Sequence, residues 1–170
     1  MNAEQMRTYV EENEQRLSRL AVSLCRNPDD AQDLYQETWI KAMRHFDQYD
    51  PERPFEKWIA AICVNTFKNT YKAFSKSREC TFSTAEDKEY AMSSIVGDHG
   101  PNDDIIVLRQ AVDMLPEKYR ILITLKFYLD YSDEDIAEIL HLPVGTVKWR
   151  IHKAKELIAR RMGDETYYQP

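Results

Sequence analysis

The stretch 132–161, SDEDIAEILHLPVGTVKWRIHKAKELIARR, decides the fold. It reads as two short helices separated by a tight break. Ser132 is a strong N-cap for the first, with Asp135 three residues on in capping-box position. Ile136, Ile139 and Leu140 supply the apolar side of that helix. The break falls at His141-Leu142-Pro143, where Pro143 cannot continue the first helix but suits the opening turn of the second. In the second helix Val144, Val147, Ile151, Ala154 and Ile158 recur at spacings of 3, 4, 3 and 4, which makes one buried stripe.

The opposite face carries the information about function. At about 100° per residue, Gly145, Trp149, His152, Lys153 and Glu156 point away from the stripe, with Thr146, Lys148 and Arg150 on its flanks. From 148 to 161 there are six Lys/Arg and one Glu, in a chain whose net charge is -6. A short helix, a tight break and a second helix with a basic outer face describe a helix-turn-helix whose second helix enters a DNA major groove. The competing interpretation is an amphipathic helical hairpin with solvated lysines. An outward Trp149 favours DNA binding, because a large aromatic is costly to leave in water without a partner.

The rest of the chain sets bounds on that reading. In 170 residues there is room for one domain or two small ones; 43% hydrophobic residues suffice for folded cores, and 31% charged residues with only 4 Gly point to an all-α protein. No apolar run approaches the roughly 20 residues needed to span a membrane, and MNAEQMRTYVEENEQ does not read as a signal peptide. Membrane insertion is therefore not expected. Cys25, Cys63 and Cys80 are odd in number and far apart, which predicts buried free thiols in a reducing cytoplasm rather than a metal site.

Taken in order, residues 4–25 predict a helix with Val10, Leu17, Leu20, Ala21 and Leu24 on its apolar side. Asn27-Pro28-Asp29-Asp30 ends it and caps a second helix over about 30–46. There Ala31, Leu34, Tyr35, Thr38 and Ala42 form the core side, while Asp33, Gln36, Glu37 and Ile40 share the opposite face. Such a face is ordinarily just solvated, but an isoleucine in its middle hints at a protein contact. A loop with two prolines, 47–54, leads to a helix over 55–74 whose inward residues are Phe55, Ile59, Ile62, Cys63 and Thr66. Along its flank run Trp58, Ala61, Asn65, Lys68 and Lys72, an aromatic, an amide and two lysines on one strip. Stacking, hydrogen bonding and phosphate neutralisation are what single-stranded nucleic acid requires of a surface, although Trp58 as plain core would equally fit. From 75 to 104 no helical stripe persists, and 3 Lys/Arg stand against 7 Asp/Glu, so this is read as an acidic flexible linker. Helices over 105–114 and about 117–129 follow, the second presenting Ile121, Leu122, Leu125 and Leu129 to the helix-turn-helix.

Two separated segments resemble one family. DAQDLYQETWIKAMRHFDQYDPERPFEKWIAAICVNTFKNTYKA, 30–73, resembles region 2 of the bacterial sigma-70 factors, and LPEKYRILITLKFYLDYSDEDIAEILHLPVGTVKWRIHKAKELI, 115–158, resembles their region 4. With no room for a region 3 domain between them and no region 1.1 before them, the layout is similar to the extracytoplasmic-function (ECF) group. The resemblance implies an all-α fold of two small helical domains, region 2 over 1–74 and region 4 over 105–163, joined by the linker 75–104 and followed by a tail, 164–170. It implies a dissociable initiation subunit of RNA polymerase. Its partners would be the core enzyme, through the β′ clamp helices and the β flap, and promoter DNA, duplex at −35 and single-stranded at −10. An anti-sigma factor that holds the protein inactive until a stress signal arrives would be a further partner. No cofactor and no metal are implied, and the setting is the cytoplasm, with membrane association only through such an antagonist.

The same resemblance assigns roles to surfaces. Asp33, Gln36, Glu37 and Ile40 match the surface for the clamp helices. Tyr49, Phe55, Trp58, Asn65, Lys68 and Lys72 match the part that melts the −10 element and holds a flipped base. Thr146, Lys148, Trp149, Arg150, His152 and Lys153 match the −35 reader. His141 departs from the family, standing where glycine is common in the turn and asking its backbone for an unusual conformation. A stand-alone helix-turn-helix regulator is the alternative, but no dimerisation heptad or ligand-pocket signature accompanies the motif. An enzyme is set aside, because His45, His99, His141 and His152 do not cluster with cysteines or carboxylates at ligand or triad spacing and no phosphate loop is present.

Overall fold

The computed structural model describes residues 3–25, 27–71 and 103–163. They form two compact helical units, one within 1–97 and one within 98–170. Residues 75–102 of the expected linker, Lys72, Cys80, His99 and the tail 164–170 lie outside the described residues.

The first unit is a three-helix bundle. Helix α1, Ala3–Leu24, turns Leu17, Leu20, Ala21 and Leu24 inward. Asn27 then caps α2, Pro28–Arg44: its side-chain oxygen accepts from the Asp30 amide at 2.7 Å, and Pro28 occupies the first turn. Both features were legible as helix-start chemistry. The buried side of α2 is Ala31, Leu34, Thr38 and Ala42, as the spacing predicts, but Trp39 is buried with them. Thr38 stays in the core because its hydroxyl donates to the Leu34 carbonyl at 2.6 Å, which satisfies its own polar atom. A 3-10 turn, Phe46–Gln48, opens the loop before α3, Phe55–Thr66. Beyond Thr66 the helix widens into a π-helical segment, Phe67–Tyr71, where an α-helix running to 74 was expected.

The second unit begins with α4, Asp103–Asp113, two residues ahead of the predicted start. Pro116 precedes α5, Glu117–Ile123, which passes into a second π-helical segment, Thr124–Tyr128. The Leu129 amide donates to the Thr124 carbonyl at 3.2 Å, five residues back, so one extra residue is accommodated in the last turn. Ile121, Leu122, Leu125 and Leu129 are buried as expected. Helices α6, Asp133–Leu140, and α7, Val144–Met162, form the helix-turn-helix and pack on one another. Both halves of the capping box are present: the Asp135 amide donates to the Ser132 hydroxyl at 3.0 Å, and the Ser132 amide to the Asp135 carboxylate at 3.1 Å. His141 takes the left-handed conformation, φ 52° and ψ 48°, which resolves the question its position raised. In that geometry its amide and that of Leu142 reach back to the last carbonyls of α6 and close the helix end.

Candidate nucleic-acid interface

The outer face of α2 is built by subtraction. Once Ala31, Leu34, Thr38 and Ala42 face the core, Asp33 and Gln36 are left exposed, and Glu37 is half-buried against Lys41 at 3.7 Å. Ile40 is 37% exposed and Met43 49% exposed, three residues apart on the same face. Met43 escaped the sequence reading, although its spacing from Ile40 was the available signal. The face thus joins acidic and polar residues to two exposed apolar side chains.

The strip on α3 does not stand alone. Trp58 is half-buried, Asn65 exposed and Lys68 half-buried, along one side of the helix. Around Trp58 the loop folds an aromatic cluster: Tyr49 lies 5.1 Å from it, Phe55 5.4 Å and Phe46 6.2 Å, ring centre to ring centre. Tyr9 arrives from α1 and stacks on Phe55 at 4.2 Å, an inter-ring angle of 21°. The Tyr49 hydroxyl donates to the Arg53 carbonyl at 2.7 Å and so fixes the turn of the loop. Burial and the neighbouring Tyr9 hydroxyl raise its pKa, which keeps it a donor. Phe55 is only 6% exposed, so it supports the cluster from below while Trp58 and Tyr49 keep accessible surface. Tyr9 and Phe46 were missed, since Tyr9 lies 40 residues before Tyr49 in the chain and nothing local marks the pair.

On α7 the buried stripe is Val147, Ile151 and Ala154, with Val144 and Ile158 half-buried at its ends. The opposite face presents Trp149, 58% exposed, together with Lys148 and His152, and with Thr146 and Arg150 half-buried beside them. Lys153 is not a bare cation. It donates to the Glu156 carboxylate at 2.9 Å, and Arg160 approaches the other oxygen at 3.2 Å. The Lys153 hydrogen bond and the surrounding cations hold the Glu156 carboxyl below its ordinary pKa. Glu156 thus stays ionised and neutralises part of the basic face. Elsewhere on this unit an apolar groove of about 770 Å³ opens between α4, the second π-helical segment and the end of α7, lined by Leu108, Val112, Ile123, Phe127, Tyr128 and Met162 among others. Lys155 lies over the Phe127 ring at its rim, 5.1 Å from the centre.

Among the described residues there is no group of three His, Cys, Asp or Glu that could hold a metal ion, and no helix long and apolar enough to cross a membrane. The described surfaces offer stacking rings, amides, cations and apolar contact.

Comparison with known proteins accounts for both units. Residues 9–78 match the family model for Sigma-70 region 2, and residues 105–158 the one for Sigma-70, region 4. The chain is 31% identical over 157 residues to the ECF RNA polymerase sigma factor SigW of Bacillus subtilis, covering 88% of this chain and 84% of that protein. It is 34% identical over 155 residues to the RNA polymerase sigma-H factor of Pseudomonas aeruginosa, covering 84% of this chain and 78% of that protein. In fold it is similar to the sigma factor RpoE of Bartonella quintana, solved with the anti-sigma factor NepR, with a TM-score of 0.73, 22% identity, and 96% of this chain and 99% of that chain covered. Two regions matched in order along one chain, with relatives above 30% identity matched over more than three quarters of their length, place the protein in the sigma-70 family of RNA polymerase sigma factors, in its extracytoplasmic-function group.

Proposed function

We propose that the chain is the promoter-specificity subunit that joins core RNA polymerase, carries it to promoters through −35 and −10 contacts, and leaves after initiation. The observation that carries this is the presence of both regions in one chain, each with a surface suited to its task. The face with Asp33, Gln36, Glu37 and Ile40, extended by Met43, is assigned to the β′ clamp helices, because it joins charge with exposed apolar area. The aromatic cluster is assigned to the −10 strand. Trp58 and Tyr49 stack a base, Phe55 supports them, Asn65 hydrogen-bonds, and Lys68 and Lys72 approach phosphates. Flipping a base costs a few kcal/mol, and stacking returns about 1–3 kcal/mol per base. Thr146, Lys148, Trp149, Arg150, His152 and Lys153 on α7 are assigned to the −35 duplex, and the apolar groove of the second unit to the β flap. Domain limits of 1–74, 75–104 and 105–163 divide these tasks, with 75–104 as the linker and 164–170 as a tail.

The protein performs no chemistry of its own in this reading; it binds, and the polymerase catalyses. It works in the cytoplasm, where core polymerase and promoter DNA are. An anti-sigma factor holds it inactive: CnrH, solved with the cytosolic domain of CnrY, is similar to this chain with a TM-score of 0.70 and 21% identity, as RpoE with NepR is. Where that antagonist is membrane-bound, the protein is held at the membrane through it.

Run-off transcription on sheared DNA of the host, with purified core polymerase with and without this protein, tests the assignment. New discrete starts only in its presence are expected, and their alignment supplies the −10 and −35 sequences. Operator protection by the protein alone with no new starts would instead make it a stand-alone helix-turn-helix regulator.

A further inference from the structure

Gly145 is the second residue of α7 and lies on the outward side of that helix. A glycine weakens a helix relative to alanine, and proteins keep one there for a positive φ or a close neighbour. Neither applies here. Gly145 is not among the residues with positive φ, and a Cβ built on it meets no atom within 4 Å among the described residues. The fold gives no reason for this glycine. One turn on, Trp149 stands on the same face, 58% exposed, and its indole has no hydrogen-bond, ring or cation partner among the described residues. Residues four apart share a helix face, so the indole stands beside the turn that Gly145 leaves bare without filling it, no atom of it lying within 4 Å of where a Cβ would be. The result is a notch at the start of the helix with a large apolar wall beside it.

We propose that Gly145 and Trp149 together read one thymine of the −35 duplex: the missing side chain lets a base edge come against the helix backbone, and the indole meets the C5-methyl group. Indole offers apolar area and a single donor but no acceptor, and in the major groove the thymine methyl is the one apolar group a base pair presents. Helix-turn-helix proteins bring the first residues of the second helix to base edges, which is where the notch lies. The proposal rests on the assignment of α7 to the −35 element made above.

The test uses holoenzyme assembled from core polymerase and the full chain, on a promoter found by run-off transcription. Thymines of the −35 element on either strand are replaced one at a time by uracil, which removes only the methyl group. At one position uracil lowers promoter affinity of the wild-type holoenzyme about 4-fold, the value of one methyl-sized apolar contact. Holoenzyme with Trp149→Ala binds more weakly and no longer distinguishes uracil from thymine there. Gly145→Ala leaves the thermal midpoint of the chain unchanged or raises it, yet lowers promoter affinity at least about 10-fold, the size of a lost base-edge contact. Uracil tolerated at every position, or full promoter affinity in Gly145→Ala, overturns the proposal. A lowered midpoint in Gly145→Ala overturns it too, by giving the glycine a structural reason. If wild-type holoenzyme opens no new promoter at all, it is the underlying sigma-factor reading that fails.

Discussion

Single residues in this protein show how burial converts chemistry into stability. Cys63 is completely buried in the first unit, and removal from water pushes its thiol up to about 12, against 9.0 for the ordinary group. Below pH 9 the thiol is protonated in the folded and unfolded chain alike, so its contribution to stability is fully present. Above that the unfolded chain releases a proton which the folded chain retains, so stability falls as pH rises toward 12, by roughly 1 kcal/mol per pH unit. Urea unfolding followed between pH 8.5 and about 11 will show a steeper loss for the wild type than for Cys63→Ala. Equal slopes would mean that the thiol is not the group responsible. Burial also keeps Cys25 and Cys63 inert as nucleophiles, in keeping with their reading as structural thiols.

At the scale of elements, the ends of α6 matter more than its middle. Eight residues are too few to hold a helix by propensity alone, so the capping box at Ser132 and the closure at His141 carry a large share of the local order. Ser132→Ala is expected to cost about 1 kcal/mol. His141→Gly is expected to do the reverse. It relieves a left-handed φ of 52° that costs a residue with a Cβ about 1–2 kcal/mol, set against the greater freedom glycine gains in the unfolded chain, for a net gain of up to about 1 kcal/mol. Thermal unfolding of the two variants beside the wild type checks both signs; a lower midpoint for His141→Gly would show that the imidazole itself contributes a contact. The two π-helical segments make a related point. Both follow a regular α-helix, and the second brings Phe127 and Tyr128 to the groove wall with one residue more per turn than an α-helix allows.

For the whole molecule, the central expectation is that the α2 face, the aromatic cluster and the outer face of α7 act separately, because they are built on different helices. Asp33→Ala with Glu37→Ala removes charge from an outer face whose Glu37–Lys41 ion pair is partly exposed and so worth little to stability, so helicity and thermal midpoint remain near wild type while affinity for core polymerase falls about 10-fold or more. A pull-down with tagged core enzyme, read beside circular dichroism, checks this. Undiminished capture would take the clamp helices off that face. Screening should weaken this contact at high salt less than the −35 contact, since Ile40 and Met43 supply apolar area that salt does not screen.

Features written in local spacing belong to the amino-acid order alone. Caps at Asn27 and Ser132, the break at His141 to Pro143 and the buried stripes of α2 and α7 all depend on residues within a turn or two of one another, so they are legible without a partner. The fold class, the helix-turn-helix and the family resemblance follow from these. Tertiary packing alone settles what depends on distant residues meeting. Tyr9 stacks on Phe55 across most of the first unit, and the groove of the second unit exists only where three elements converge. It also decided which of the named residues are available. Phe55, matched to the −10 part by the resemblance, faces inward as its spacing predicts and lies beneath Trp58, while Lys153 on the outward face of α7 is engaged by Glu156. Helical periodicity states which direction a side chain points. Whether water, a ring or a counter-ion waits there is set by the packing of other elements, which periodicity does not contain.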